Sequence, residues 1–334
     1  MVKLGKILLL CLSLMAVGAC RADSTTQSEP RAAKAKTVVW IDTDPSISSG
    51  AHEVDDGFVL IQAFNSPELE IRGVSVVFGN APFETAWPIG QEIVKKYGPP
   101  HLPVFAGAAK AEPLGAETDA SRALAAALQK EKLTILALGP VTNVATVLKN
   151  HPALSDRIEA IIAVAGRRPN QHFVTGTKKH TPFRDLNFEL DAPGFQVLLD
   201  TNVQIVLAPW EVSSKVWLKE ADLQQLAAGK PSTRWLAAPG RDWLAMWQQQ
   251  FGVDGFNPFD TLALAYVTSP DLLEWEDLPC AIQSLPDDRT PANEKPKDKP
   301  YLLAGKEVAA QRTVRYCHTP KPGFKPDLMA RLLR

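Results

Sequence analysis

Charge of one sign is missing from this 334-residue chain: 36 Lys and Arg stand against 37 Asp and Glu. The cations are also scattered, so no basic stripe of the kind that binds nucleic acid is present. Cysteine is sparse. Of four, Cys11 and Cys20 fall in the N-terminal segment, which leaves only Cys280 and Cys317 for the folded body. Glycine forms no phosphate-cradling motif. Gly139 and Gly166 stand alone, so a nucleotide-cofactor fold of the Rossmann sort is unsupported. No internal repeat is visible. Aromatic content is a modest 7%, although eight residues are tryptophan. The apolar share of 45% is ordinary and the net charge is −1. Together these exclude a generally disordered chain and leave enough apolar material for one large α/β domain or two ordinary ones.

The N-terminus reads as a targeting segment. Met1 to Lys6 is basic, and Ile7 to Val17 is apolar but short for a permanent membrane span. Val17-Gly18-Ala19-Cys20 resembles a bacterial lipobox. Residues 1–19 are thus expected to be a lipoprotein-type signal peptide, with Cys20 as the lipid anchor. Residues 20–35 read as a flexible polar tether and residues 36–334 as the body. This predicts export to the periplasm or cell envelope, with the membrane touched only through the anchor. Cys280 and Cys317 lie in short apolar stretches. If those stretches form adjacent strands, a disulfide becomes possible in an exported protein. Two buried thiols are the alternative.

Short β-branched runs alternate with helical segments along the body. Strands are expected at 37–41, 71–78, 104–105, 133–138, 158–165 and 203–208, and helices at 58–64, 83–97, 122–129, 142–149 and 192–199. Residues 287–300 read as an exposed loop. Near-continuous apolar strands alternating with helices predict an α/β fold: a mostly parallel open sheet with helices on both faces. Ligands of such sheets bind beyond the carboxyl ends of the strands. Asp42, Asp44, Asn80 and Leu138 are all expected there.

Four carboxylates crowd the first strand–helix junction, in Asp42-Thr43-Asp44-Pro45 and Val54-Asp55-Asp56-Gly57. Taken singly, each group reads as a turn or a helix cap. As a set they repel one another unless a cation or a hydroxyl-rich ligand neutralises them. Further elements follow in order: Val77-Phe78-Gly79-Asn80, Ala137-Leu138-Gly139-Pro140-Val141-Thr142-Asn143, Asp185-Leu186-Asn187-Phe188-Glu189, and Pro258-Phe259-Asp260 before Leu264-Ala265-Tyr266.

Taken together these segments resemble the inosine–uridine-preferring nucleoside hydrolase family over roughly residues 36–334. The resemblance implies hydrolysis of the N-glycosidic bond of a ribonucleoside with a tightly held Ca²⁺, a cation that takes several hard oxygen ligands. It further implies that Asp44, Asp56 and Asp260 and the backbone carbonyl of Leu138 bind the ion. Asp44 would act as general base towards a water. Asp55, Asn80, Asp185 and Asn187 would hold the sugar hydroxyls, and Asp42 would orient its neighbours. Members of the family often form dimers or tetramers, so a homo-oligomer is an expected partner beside the small-molecule substrate.

Three departures bear on specificity. Residues 46–54 lengthen the loop between the two acidic pairs and bring His52 and Glu53 to the mouth of the site. Phe259 stands where the family has a histidine linked to protonating the leaving base; a phenyl ring stacks but donates no proton. Trp243 and Trp247, four apart on one helix, are expected either to form an aromatic wall for the base or to be core. Arg167, Arg168 and Arg184 suggest a substrate with an anionic or altered 5′ group. Two other readings remain open at this point. One is an envelope lipoprotein that binds a nucleoside or sugar with little or no turnover. The other is a phosphatase that uses Asp42-Thr43-Asp44 as an Asp-x-Asp nucleophile motif.

Overall fold

The computed structural model describes residues 35–48, 50, 52–309 and 312–334. The expected signal peptide, most of the tether and the Cys20 anchor lie outside them. Six parallel strands carry the body: β1 (Thr37–Thr43), β2 (Leu69–Val76), β3 (Val104–Ala106), β4 (Leu133–Ala137), β5 (Ile158–Ala163) and β6 (Ile205–Leu207). Three more, β7 (Leu273–Pro286), β8 (Asp298–Ala304) and β9 (Arg312–Pro320), extend the sheet in the order β3-β2-β1-β4-β5-β6-β9-β7-β8. Strand β9 runs parallel to β6, while β7 is antiparallel to both β9 and β8.

The helices are α1 (Asp55–Phe64), α2 (Phe83–Tyr97), α3 (Asp119–Lys130), α4 (Thr142–Asn150), α5 (Leu186–Leu190), α6 (Ala192–Leu199), α7 (Trp210–Ser213), α8 (Glu220–Ala227), α9 (Pro231–Phe251), α10 (Phe259–Thr268) and α11 (Phe324–Leu333). Two cores form on opposite faces of the sheet because strand side chains alternate. Val39 and Ile41 of β1 join Phe58, Ile93, Leu223, Leu236, Leu262 and Leu328, from α1, α2 and α8–α11. Trp40, between them in sequence, joins Leu124, Val144 and Leu198 of α3, α4 and α6 on the other face. The Trp40 indole N–H donates to Ser75 Oγ at 2.8 Å, so this buried polar atom is satisfied.

Strand β1 pairs with β2 on one side and β4 on the other. The order of strands reverses there, which opens a crevice beyond their carboxyl ends. Asp42 and Thr43 end β1, Asp44 follows directly, and Leu138 follows β4.

The expected disulfide does not form. Cys280 and Cys317 are buried free thiols. They do occupy adjacent strands, but Cys280 pairs in register with Arg312 whereas Cys317 pairs with Trp275. An offset of five residues separates them by roughly 17 Å at ~3.4 Å per residue, far beyond the reach of an S–S bond. The odd offset also places them on opposite faces of the sheet, in different cores. Burial pushes each thiol up to about 12. The 287–300 segment also differs from expectation. It is the β7–β8 hairpin, with residues 298–300 already in β8. Its Asp288 turns inward to an ion pair with Arg167 at 2.8 Å.

Candidate active site

Two helix N-termini meet at the crevice. Asp55 and Asp56 lie in the first turn of α1, and Asp260 lies in the first turn of α10. One carboxylate oxygen from each falls within 4.8 Å of the others, and all three residues are buried. Asp44 sits against this group. Its backbone N–H donates to Asp56 Oδ1 at 3.1 Å, and Thr43 Oγ1 donates to the same oxygen. The backbone N–H of Asn80 donates to Asp44 Oδ2 at 2.7 Å, while Asn80 Nδ2 reaches Asp56 Oδ2 at 3.3 Å. Asp44 Oδ1 is buried and has no hydrogen-bond partner.

Glycines make this packing possible. A Cβ on Gly79 would lie 1.9 Å from Asp44 Oδ2, and one on Gly139 would lie 2.7 Å from Oδ1. The two sequence motifs that contain these glycines therefore clamp one carboxylate from both sides.

The electrostatics suit a cation. Burial first, and then the neighbouring carboxylates, push Asp44, Asp55 and Asp260 well above the usual carboxylate range. Burial lifts Asp56 to about 6 against the hydrogen bonds from Thr43, Asp44 and Asn80, and burial plus Asp56 lift Glu53 to about 8. A helix N-terminus returns only about 0.3–1 kcal/mol to a carboxylate in its first turn. Burying each ion costs several kcal/mol, so the two helix ends cannot hold the cluster charged. A hard divalent cation can, and oxygen-only donors suit calcium or magnesium better than softer metals. The orphaned Asp44 Oδ1 beside this group is what such an ion, or a water on it, would satisfy.

Above the carboxylates lies a cavity of about 490 Å³, within the ~300–1,000 Å³ span of small-molecule sites. Asp55, Asn80, Leu138, Asp185, Asn187, Asp260, Trp243, Trp247 and Phe259 all line it, as do His52 and Glu53 from the lengthened loop. Asp44 and Asp56 are fully buried and do not line it. Asn187 Nδ2 donates to the carbonyls of Leu138 at 2.6 Å and Val164 at 3.0 Å, which fixes its amide and leaves its Oδ1 for a ligand. Asp185 Oδ2 accepts from the Gly166 N–H at 2.9 Å, and burial raises this carboxyl to about 6.

The carboxylate cluster and the expected metal ligands overlap in two residues. Asp56 and Asp260 belong to both, but the cluster's third carboxylate is Asp55, expected as a sugar contact, and Asp44 lies alongside. Asp42 points away: its Oδ1 accepts from Ser75 and from Asn143 at 2.8 Å, and it does not line the cavity. It therefore supports the floor, and it cannot reach a substrate as a phosphatase nucleophile must.

Trp243 and Trp247 stand between the cavity and the core. Both line the cavity, and Trp247, 2% exposed, also belongs to the core. Their rings meet edge-on at 6.3 Å, and Trp247 lies 6.2 Å from Phe259. Phe173, Phe183, Trp210 and Phe251 complete the aromatic side and were not anticipated. Phe251 was reachable from sequence, because positions 243, 247 and 251 repeat every four residues along α9. The arginine expectation needs correction. Arg167 is buried between the rings of Phe173 and Tyr301 and is paired with Asp288. Arg168 is paired with Glu211 and Glu276. Neither lines the cavity; Arg184 does, along with Lys179 and the unforeseen Arg289.

Comparison with known proteins agrees with this geometry. A family model described as inosine-uridine preferring nucleoside hydrolase matches residues 39–311. The pyrimidine-specific ribonucleoside hydrolase RihA of Klebsiella pneumoniae is 25% identical over 263 residues, covering 70% of this chain and 80% of that protein. Among solved structures, the plant nucleoside hydrolase PpNRh1 superposes with a TM-score of 0.73 at 18% identity, over 89% of this chain and 99% of that one. A purine-preferring ribonucleoside hydrolase from Gardnerella vaginalis superposes with a TM-score of 0.71 at 18% identity, over 89% and 98%.

Proposed function

The chain belongs to the inosine-uridine preferring nucleoside hydrolase family, and on that premise we propose that it performs Ca²⁺-dependent hydrolysis of a ribonucleoside or related N-riboside to free base and ribose. It is a hydrolase of N-glycosyl compounds; the ion, the residue roles and the cellular location are the proposed part. The observation that carries the proposal is Asp44 Oδ1, buried without a partner beside three clustered carboxylates under a nucleoside-sized cavity.

Asp56 and Asp260 would hold the ion with Asp44 and the Leu138 carbonyl, and Asp55 would stand against it and the sugar. A bound Ca²⁺ would supply positive charge to the carboxylates and coordination for sugar hydroxyls and a water. Asp44 takes a proton from the attacking water at Oδ1, while the Asn80 N–H on Oδ2 keeps the carboxylate from turning away. Asn80, Asp185 and Asn187 fix the ribose, so the water meets the anomeric carbon in line with the departing base. The transition state gains oxocarbenium character, which the surrounding carboxylates stabilise. Phe259 donates no proton, so Trp243, Trp247 and Phe259 assist departure by stacking on the base. RihA is named as pyrimidine-specific and the Gardnerella enzyme as purine-preferring, so both classes of base belong in the assay. The proposal includes export and a lipid tether at Cys20, supported by the basic, apolar and small-residue order of residues 1–20.

The test is to strip the protein with chelator, titrate Ca²⁺ calorimetrically, and follow release of base from purine and pyrimidine nucleosides. One tight site is expected, together with a loss of at least ~10²-fold in kcat for Asp44→Asn. A stripped protein that takes up no divalent ion, or an Asp44→Asn protein as active as the parent, refutes the proposal.

A further inference from the structure

We propose that the ribosyl substrate carries a 5′-phosphate, so that the products are free base and ribose 5-phosphate. This rests on the hydrolase reading above. Three cations from separate segments line the cavity: Lys179, Arg184 and Arg289. Among the described residues, two of them have no carboxylate partner. Lys179 packs over the Phe251 ring at 5.5 Å from its centroid, and its loop is pinned to the end of α9 where the Thr177 N–H meets the Phe251 carbonyl at 2.9 Å. The Arg289 guanidinium has no hydrogen bond or ion pair among the described residues. Arg184 gives only its Nε to Glu189, at 3.0 Å, which leaves both Nη groups free.

The position of Arg289 is fixed. Its backbone N–H donates to Asp287 at 3.0 Å. Lys299 then ties Asp287 and Asp288 to Glu189 of α5 at 3.1, 3.3 and 3.0 Å. The hairpin tip is thereby fastened to the helix that carries Asn187 and directly follows Asp185, the residues proposed to hold the sugar. Of the carboxylates beside this rim, Asp287 and Asp288 are tied to Lys299, and Asp288 also to Arg167. Asp185 is engaged by the Gly166 N–H, and Glu189 by Arg184 and Lys299. The unengaged Arg289 guanidinium and the two Nη groups of Arg184 at the cavity match a phosphate dianion, which accepts paired N–H donors. A neutral 5′-hydroxyl offers them no counter-charge. The reaction balances as ordinary hydrolysis. Water oxygen bonds to the anomeric carbon, the C–N bond breaks with its electron pair to the base, and the water protons are shared between base and product hydroxyl.

Two measurements on the calcium-loaded protein test this. The first compares base release from nucleoside 5′-monophosphates, the parent nucleosides, and a riboside with an anionic base and a free 5′-hydroxyl. The 5′-monophosphates should lead in kcat/KM. Arg289→Ala should cut the monophosphate-to-nucleoside ratio by about 10- to 100-fold, the worth of a hydrogen bond to a charged group. Arg122→Ala, whose guanidinium pairs with Asp119 away from the cavity, should leave that ratio alone. The second measures binding of ribose 5-phosphate against ribose by calorimetry, with the phosphorylated sugar expected to bind at least tenfold tighter. Hydrolysis of nucleosides but not of their monophosphates overturns this inference and leaves the hydrolase reading standing. Preference for the anionic base overturns it by assigning the cations to the base. If no substrate releases base, the hydrolase reading fails, and the binding comparison alone decides: equal affinity for the two sugars overturns the phosphate site.

Discussion

Replacing Gly79 with alanine should silence the enzyme while leaving it folded. The added Cβ would lie 1.9 Å from Asp44 Oδ2 and 2.9 Å from Pro140 Cδ, whereas real contacts begin near 3.0 Å. Gly79 is not among the positive-φ glycines, so its backbone tolerates alanine and the perturbation is purely steric. The carboxylate must retreat by about 1 Å, and the Asn80 N–H bond that orients it at 2.7 Å is lost. A misplacement of ~1 Å in a reacting group costs on the order of 10²-fold in rate. Over-packing a buried site by one methyl costs only about 1–3 kcal/mol of stability. The assay pairs kcat for base release with a thermal melt. A fall in kcat of at least ~10²-fold is expected, with a Tm reduced by a few degrees and the cooperative transition kept. Gly139→Ala, whose Cβ would press on the other oxygen at 2.7 Å, should act in the same direction. A Gly79→Ala enzyme within twofold of the parent kcat would show that Asp44 does not need the position it occupies, and the general-base assignment would fall.

Four further outcomes follow from the same geometry. Folding raises Asp42 to about 7 and Asp56 to about 6, so the native state keeps protons that the unfolded chain releases near pH 4. Their contribution to metal-free stability should therefore be fullest below pH ~4 and be lost as pH rises through 6 to 7; melts in chelator from pH 5 to 8 measure this, and the Tm gain from added Ca²⁺ should be larger at pH 8 than at pH 5. Asp260→Asn removes one like charge from the buried group, so it should raise the metal-free Tm at pH 8 while calorimetry finds Ca²⁺ affinity reduced by at least tenfold. Trp243→Ala should lower kcat/KM about 5- to 100-fold through lost base stacking, with steady-state kinetics as the readout. Arg167→Ala should cost about 3–5 kcal/mol in denaturant unfolding, because it strands the buried Asp288 carboxylate, whereas Arg289→Ala should cost less than ~0.5 kcal/mol.

The parallel half of the sheet was legible because its signals are local. A run such as Val39-Trp40-Ile41 is buried on both faces of the sheet, and Thr142 to Lys149 carries its own helical spacing. Helix starts were less legible. Helix α1 begins at Asp55 rather than Phe58, because a polar first turn stabilised by its own position lies outside the apolar pattern that marks a helix. The strands β7, β8 and β9 were poorly marked: β7 alternates partly exposed positions and contains two prolines, so it lacks the continuous apolar run of a central strand. The cysteine expectation failed one level higher. Adjacency of the two strands was inferable; their register was not, and a five-residue offset settles which face each thiol occupies.

Residues of the site were legible in proportion to how much of their role is fixed by backbone. Asp44, Leu138 and Asp260 sit at strand ends or a helix start, with Asn80 in the turn between β2 and α2, and the fold delivers those points to one crevice whatever the side chains do. Side-chain partnerships are different. Nothing near Arg167 or Arg168 in sequence reveals that their charges are already used, since Asp288, Glu211 and Glu276 lie 121, 43 and 108 residues away. The same blindness hid Arg289, which the hairpin returns to the cavity from far along the chain. Whether an arginine is available to a ligand is decided by which carboxylates the tertiary fold brings to it. Arg167 and Arg168 are thus engaged away from the cavity, while Lys179, Arg184 and Arg289 keep its rim positive. That sign is the part of the expectation that composition and local sequence could carry. Salt dependence tests it directly: if the rim cations draw an anionic substrate through solvent, kcat/KM for a 5′-monophosphate should fall as ionic strength rises from 0.01 to 0.15 M, where the screening length shrinks from ~30 to ~8 Å, while kcat/KM for the uncharged nucleoside stays level. Parallel behaviour of the two substrates would remove the rim cations from recognition.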